Sequence, residues 1–318
     1  SDADLRKNPI IYKHGDYSNP VMVDFSGSVA PTSWVMNCGY YAENGTVYFC
    51  EYTRFHHDYA HVWKVTAPYY NSSDWEIVKS FQVSGNQQGF KHCHNIERDP
   101  YTGILWLSTG DVPPTDHQYI GTPGIYYSTD DGTTWTTLVE DSEKYCRQLN
   151  FIWTEDYVYW GSDSSTYETH FFMRAKRDAN GVIDLNTVED LFQFYTRSAT
   201  YHICYSEKPH GILCLERMDN PSLVPINFYF WDIEQEKMLF IDRCDAIGNG
   251  HTGFRVDAIN HYPAPNQIGY LCGFSLNQSN IDMPGNKYIS DYYGSGYVKR
   301  DTDNVGCLNN ILIKIVPR

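Results

Sequence analysis

The strongest constraint in this sequence is an internal repeat close to 55 residues long. A short apolar segment recurs as Thr46–Cys50, Ile104–Ser108, Tyr157–Gly161, Ile212–Glu216 and Ile268–Cys272. Its central residues, Tyr48, Trp106, Tyr159, Cys214 and Tyr270, fall 58, 53, 55 and 56 positions apart. Self-similarity of this length marks a stack of supersecondary units, and segments of five apolar and β-branched residues between turns read as strands. A further strand follows each segment: His61–Val65, Gly124–Ser128, His170–Arg174, Asn227–Trp231 and Asn310–Lys314. The first four units add an outer strand, near 75–81, 135–139, 188–194 and 237–241. Helical periodicity is almost absent.

The expected fold is therefore all-β: a single domain over 1–318, a five-bladed β-propeller. Its last blade lacks an outer strand, and Pro9–Lys13 is free to supply it. Closure by this N-terminal strand removes the open sheet edges that invite aggregation. The stretch from Ser275 to Gly306 reads as a long loop in the last blade; if it held its own sheet, the ring would have six blades. Long loops in compact domains tend to be functional.

Composition narrows the partners. The 39 acidic side chains outnumber 24 basic ones, for a net charge of −15. Such a surface repels phosphate backbones, which excludes general nucleic-acid binding. No run of about 18 apolar residues appears, so no membrane-inserted helix is expected. Aromatics make up 16%, with 27 Tyr, a composition suited to strands and to stacking on sugar rings. The nine Cys include no CxxC pair and most sit in apolar segments, so mainly free, buried thiols are expected rather than zinc ligands.

The turn Ser128-Thr129-Asp130-Asp131-Gly132-Thr133-Thr134-Trp135 resembles the Asp-box, S-x-D-x-G-x-T-W. Together with His92–Asn95, Asp99–Gly103, Thr109–Asp111 and Tyr157–Asp163, it gives residues 90 to 178 a likeness to the sialidase-like (Asp-box, or BNR-repeat) β-propellers of uncharacterised function. The resemblance implies a propeller associated with carbohydrate. It does not carry sialidase chemistry across, because the three-arginine cluster and Tyr/Glu pair of that activity have no counterpart here.

Polar residues recur at the strand that begins each unit, where a propeller lines its channel. Asn37, His92, Arg147, His202 and His251 are spaced 55, 55, 55 and 49 apart. Convergent His, Arg and Tyr suit two chemistries. For β-elimination from a uronate polysaccharide, Arg147 or Arg174 would neutralise the carboxylate, His94 or His202 would take the proton, and Tyr159 or Tyr201 would protonate the leaving oxygen. His92, His117, Asn150, Tyr201, His251 and Arg255 would bind substrate. Glycoside hydrolysis would instead need two carboxylates, with Asp111, Asp163, Glu216 and Asp257 as candidates. A divalent metal held by His92, His94, His202 and His251 is a third use of the same residues, and the sequence demands no particular cofactor. Against all three stands the ordinary role of buried polar groups, hydrogen bonding between blades. The expectation is an extracellular or virion-associated enzyme acting on a polysaccharide, lyase ahead of hydrolase, with a non-catalytic glycan- or receptor-binding propeller (a lectin or phage tail module) as its rival. The sequence leaves the oligomeric state open.

Overall fold

A computed structural model describes residues 10–13, 16–25, 29, 31, 34–41, 45–51, 59–82, 92–110, 123–140, 145–148, 150–162, 171–194, 198–207, 210–218, 226–244, 254–259, 270–276 and 308–313. Among these, helix is confined to two single turns, Ser72–Asp74 and Leu185–Thr187, and no helix is long and apolar enough to cross a membrane. Everything else that is regular is antiparallel strand. The chain divides into two compact units, Ser1–Asp156 with Arg177–Asp184, and Tyr157–Lys176 with Leu185–Arg318.

In the first unit, β1 (Ile10–Lys13) and β2 (Asp16–Met22) form a two-stranded hairpin. Two four-stranded meanders follow. One runs β3 (Trp34–Tyr41), β4 (Val47–Glu51), β5 (Tyr59–Val65), β6 (Trp75–Gln82); the next runs β7 (His92–Arg98), β8 (Leu105–Gly110), β9 (Gly124–Ser128), β10 (Thr136–Glu140). The short β11 (Phe151–Trp153) completes this unit. The second unit holds β12 (Tyr157–Gly161), β13 (Phe171–Lys176) and β14 (Glu189–Gln193) in sequential order. It continues with the meander β15 (Ser198–Glu207), β16 (His210–Met218), β17 (Ile226–Asp232), β18 (Lys237–Cys244), and with the three-stranded β19 (Phe254–Ile259), β20 (Tyr270–Leu276), β21 (Leu308–Ile313). The sequence reading found β1, as Pro9–Lys13, but missed β2, with which it pairs. Its long loop also began too early, since Ser275 and Leu276 belong to β20; residues 277–307 lie outside the described residues.

Burial explains why the second strand of each repeat was so legible. All six residues of β8 are buried, as are the last four of β12. A strand covered on both faces reads as a continuous apolar run, whereas one with a solvated face alternates. The outer strands β10 and β14 show partial or full exposure throughout. Tyr48, Cys50, Ala60 and Val62 of one meander pack face to face with Cys93, Ile96, Leu105, Leu107 and Tyr126 of the next. The opposite face of the first meander is closed by Val23 and Phe25, which pack on Phe49, Trp63 and Trp75. In the second unit, Tyr229 is ringed by Phe192, Phe194 and Phe240 at centroid distances of 5.2 to 5.6 Å. Cys50, Cys93, Cys146 and Cys214 are buried free thiols, and burial raises the Cys214 pKa.

The repeat extends to backbone irregularities. In four sheets the outer strand carries one extra residue opposite the third strand: Val78 in β6, Leu138 in β10, Leu191 in β14 and Ile241 in β18. Such bulges bend the strand and increase its twist. The hairpin from Ser128 to Trp135 is held by its own side chains. Ser128 Oγ donates to Asp130 Oδ1 and accepts from the Gly132 N–H, both at 2.8 Å. Asp130 accepts from the N–H and hydroxyl of Thr134 at 2.8 and 2.7 Å. Asp131 and Gly132 have positive φ (56° and 85°), and the tip is tied down by Tyr48 OH donating to the Asp131 carbonyl and by Arg98 pairing with its carboxylate at 2.6 Å.

A buried ion pair braces the first unit. Asp99, fully buried, accepts from the Tyr101 N–H and the Thr102 hydroxyl, and takes Arg177 in a two-pronged contact of 2.6 and 3.1 Å. Arg177 also donates to the carbonyls of Thr154 and Glu155, and its guanidinium lies over the rings of Tyr101 and Trp153. Removing one partner leaves a buried charge uncompensated. Asp99→Ala is therefore expected to lose about 3–5 kcal/mol in urea unfolding. A loss below about 1 kcal/mol, the range of an exposed pair, would contradict this role.

Candidate functional site

The first strands of the repeats are also bulged, and the bulges fall on residues singled out for chemistry. In β7, Cys93 pairs with Thr109 and Asn95 with Ser108, which leaves His94 as the extra residue. In β15, Thr200 pairs with Glu216 and His202 with Leu215, leaving Tyr201. In β19, Val256 pairs with Phe274 and Ala258 with Gly273, leaving Asp257. A bulge breaks strict alternation and re-aims the side chains around it, and bulges are common beside active sites.

The first unit gathers His94, Arg147, Gln148 and Asn150. His94 is 3% exposed and its Nδ1 lies 3.1 Å from the Arg147 carbonyl oxygen. A carbonyl only accepts, so Nδ1 carries a hydrogen, and in the neutral ring the lone pair resides on Nε2. The ring fills the space over Gly110: a Cβ there would stand 1.7 Å from Nε2. Arg147 is 2% exposed and has φ of 71°, the left-handed region that non-glycine residues rarely adopt. Ser108 Oγ donates to the Gln148 carbonyl at 2.8 Å. Two successive carbonyls of this turn are thus held from β7 and β8, and together they stabilise its unfavourable backbone. Gln148 is fully buried, and its amide has no hydrogen-bond partner among the described residues.

Just beyond the turn, Asn95 and Glu97 pin the start of β11. Glu97 accepts from the Phe151 N–H at 2.6 Å, from Trp153 Nε1 at 3.3 Å and from the Asn95 amide. Burial pushes the Glu97 carboxyl up to about 7, against the opposing pull of these three donors. Glu97 was not among the site residues expected from sequence.

Tyr159 and Arg174 belong to the second unit, where they face each other across β12 and β13. Arg174 contacts Glu189 through Nε and Nη2 at 3.0 and 2.8 Å and Glu236 through Nη1 at 2.6 Å, and lies over the Tyr157 ring. Burial lowers the Arg174 pKa, but Glu236, Glu189 and Tyr159 outweigh it and hold it above its ordinary value. Burial raises the Tyr159 pKa despite the hydrogen bond from Arg174, so the phenol stays protonated at neutral pH. The charge of Arg174 is already compensated by two carboxylates.

A buried acceptor recurs at the second-strand residue beside the first-strand irregularity. Glu51, paired with Trp34, accepts from the His61 N–H and from Trp63 Nε1 at 2.9 and 3.1 Å. Thr109 Oγ1 accepts from the Gly124 N–H at 2.8 Å, and Glu216 accepts from Asn227 Nδ2 and Tyr229 OH at 2.7 and 3.0 Å. Glu216, the last residue of the segment read from sequence, lies inside β16, which runs on to Met218; Glu51 went unnoticed because it ends an apolar run. His92 lies in β7, Tyr201 and His202 in β15, and Arg255 in β19, each placed by its backbone. His117, His251, Asp111 and Asp163 lie outside the described residues. Among the described residues, no group of three His, Cys, Asp or Glu is arranged to hold a metal ion.

No protein-family model and no curated protein matches the sequence. Among solved structures, the chain is similar to a periplasmic gluconolactonase of Pseudomonas aeruginosa, at 13% identity over 92% of this chain and 74% of that one, with a TM-score of 0.48. It is also similar to the GH93 α-L-arabinofuranosidase of Fusarium graminearum in complex with arabinobiose, at 12% identity over 78% and 80%, with a TM-score of 0.45. Both are β-propeller proteins. A third is prolyl oligopeptidase B from Galerina marginata, at 12% identity over 86% of this chain but 37% of that one, TM-score 0.46. Likeness at this level assigns neither substrate nor chemistry.

The raised Glu97 carboxyl gives the fold a pH signature. Between the ordinary value of 4.5 and about 7, the folded chain holds a proton that the unfolded chain releases. Stability from this group is complete below pH 4.5 and is lost as pH rises through 7, by about 3 kcal/mol in all. Urea unfolding of Glu97→Gln is expected to lack that decline between pH 5 and 8; an unchanged slope in the variant would assign it elsewhere.

Proposed function

We propose that this chain is a single five-bladed β-propeller, closed by its N-terminal strand, that acts on a uronate-containing polysaccharide by β-elimination. The regular repeat, the sequential antiparallel meanders and the bulges at matching positions support the architecture. One observation carries the chemistry: a buried guanidinium, Arg147, on a left-handed turn whose carbonyl fixes the tautomer of His94. Arg147 neutralises the substrate carboxylate and so acidifies the C5 proton. His94, with its lone pair on Nε2, removes that proton. The C5–H electrons form the C4=C5 double bond, the C4–O bond breaks, and the departing oxygen takes up the proton that His94 has accepted, which returns the ring to its neutral form. Asn150, buried beside Arg147 in the chain, contributes a polar contact to the sugar. Arg174, ligated by Glu189 and Glu236, is left as a structural cation.

A non-catalytic glycan-binding propeller is the second reading. Incubation with uronate polysaccharides separates the two. The lyase reading expects ultraviolet-absorbing unsaturated ends, abolished in His94→Ala while the melting temperature stays near wild type. Reducing ends without that absorbance would replace elimination with hydrolysis. Glycan-array binding without turnover would establish the lectin.

A further inference from the structure

Gly110 ends β8, where it is buried and paired with His92. Glycine in a strand is unfavourable, because it loses the most freedom on folding and has no side chain to pack. Two things keep it there: a backbone angle that other residues avoid, or a neighbour too close to admit a Cβ. The first does not apply. Gly45, Gly103, Gly132 and Gly181 have positive φ, and Gly110 does not. The second does. A Cβ on Gly110 would stand 1.7 Å from Nε2, 1.9 Å from Cε1 and 2.3 Å from Cδ2 of His94. Three comparable distances put that Cβ over the face of the ring, at its Nε2 end. An atom in line with the Nε2 lone pair would lie much nearer to Nε2 than to either carbon. The end of β8 therefore backs the imidazole from one face without standing in the path of the lone pair.

The repeats show the same association. The buried acceptors Glu51, Thr109 and Glu216 are followed in the chain by Tyr52, Gly110 and Arg217. Around the bulges of β7 and β15 the register is alike: His92 pairs with Gly110 as Ala199 pairs with Arg217, and the extra residue is His94 in one and Tyr201 in the other. Of the three positions, glycine stands only beside the bulged histidine. We propose that Gly110 is a positioning residue of the site: its missing side chain lets the His94 imidazole lie face-on against β8, where the Arg147 carbonyl can hold Nδ1. This rests on the reading of His94 as the base. The β8 backbone is fixed by pairing with β7 and β9, whereas the ring can turn about two bonds. A methyl at position 110 therefore displaces the ring rather than the strand, and the 3.1 Å hydrogen bond to the Arg147 carbonyl is what breaks.

Gly110→Ala is the test, with His94→Ala and the double variant beside it. With the imidazole in place, the methyl is expected to lower the melting temperature. With the imidazole gone, the same change is expected to leave the melting temperature unchanged or raise it, as alanine for glycine does where the backbone permits. Should Gly110→Ala alone not fold, recovery of folding in the double variant reads the same conflict. In elimination from a uronate polysaccharide, Gly110→Ala is expected to lose about 100-fold in kcat with KM near wild type, because the base is displaced while Arg147 and Asn150 remain to bind. A drop in melting temperature of the same size in both backgrounds, or in neither, would overturn the proposal, as would a Gly110→Ala protein with the wild-type kcat. A wild type that forms no unsaturated ends would remove the lyase reading alone, since the melting temperatures decide the role of Gly110 toward His94 without it.

Discussion

A hydrogen bond from a buried imidazole to a backbone carbonyl, His94 to Arg147, organises the polar heart of the first unit. It joins the bulge of β7 to the turn that leads into β11. Without it, the left-handed conformation of Arg147 would be unsupported on that side. Ser108 holds the next carbonyl, and Glu97 and Asn95 hold the first residues of β11. The site is thus built from main-chain groups of one segment gripped by side chains of another.

The same economy recurs elsewhere in the chain. Where a first strand bulges or loses register, the neighbouring second strand supplies a buried acceptor: Glu51, Thr109 or Glu216. Each is satisfied by donors of the third strand, because a buried carboxylate or hydroxyl left unpaired would cost more than it contributes. The pattern places polar chemistry at one end of strands that are otherwise apolar on both faces. Aromatic packing around Trp63 and Tyr229 covers those faces.

Much of the strand pattern could be read from sequence, since strands buried on two faces must be uninterrupted apolar runs. Tyr157–Gly161 and Gly124–Ser128 emerged with the bounds seen in the structure. Features that depend on a partner were invisible. A bulge exists only relative to the strand opposite, so nothing in His92–Arg98 announced that His94 would be the extra residue. The Asp99–Arg177 pair joins residues far apart in the chain, and neither type stands out where it occurs. Arg174 shows the reverse failure: an arginine at the end of an apolar strand looked available, yet Glu189 and Glu236 already flank it. Residue type and phase locate candidates; ligation decides what they are free to do.

The account rests on His94 being fixed as the tautomer that donates through Nδ1. Nitrogen-15 chemical shifts of the His94 imidazole across neutral pH measure this directly. The account predicts a protonated, pyrrole-like Nδ1 and a pyridine-like Nε2 in the neutral ring. A pyridine-like Nδ1, or averaging between the two tautomers, would show that the Arg147 carbonyl does not hold the ring.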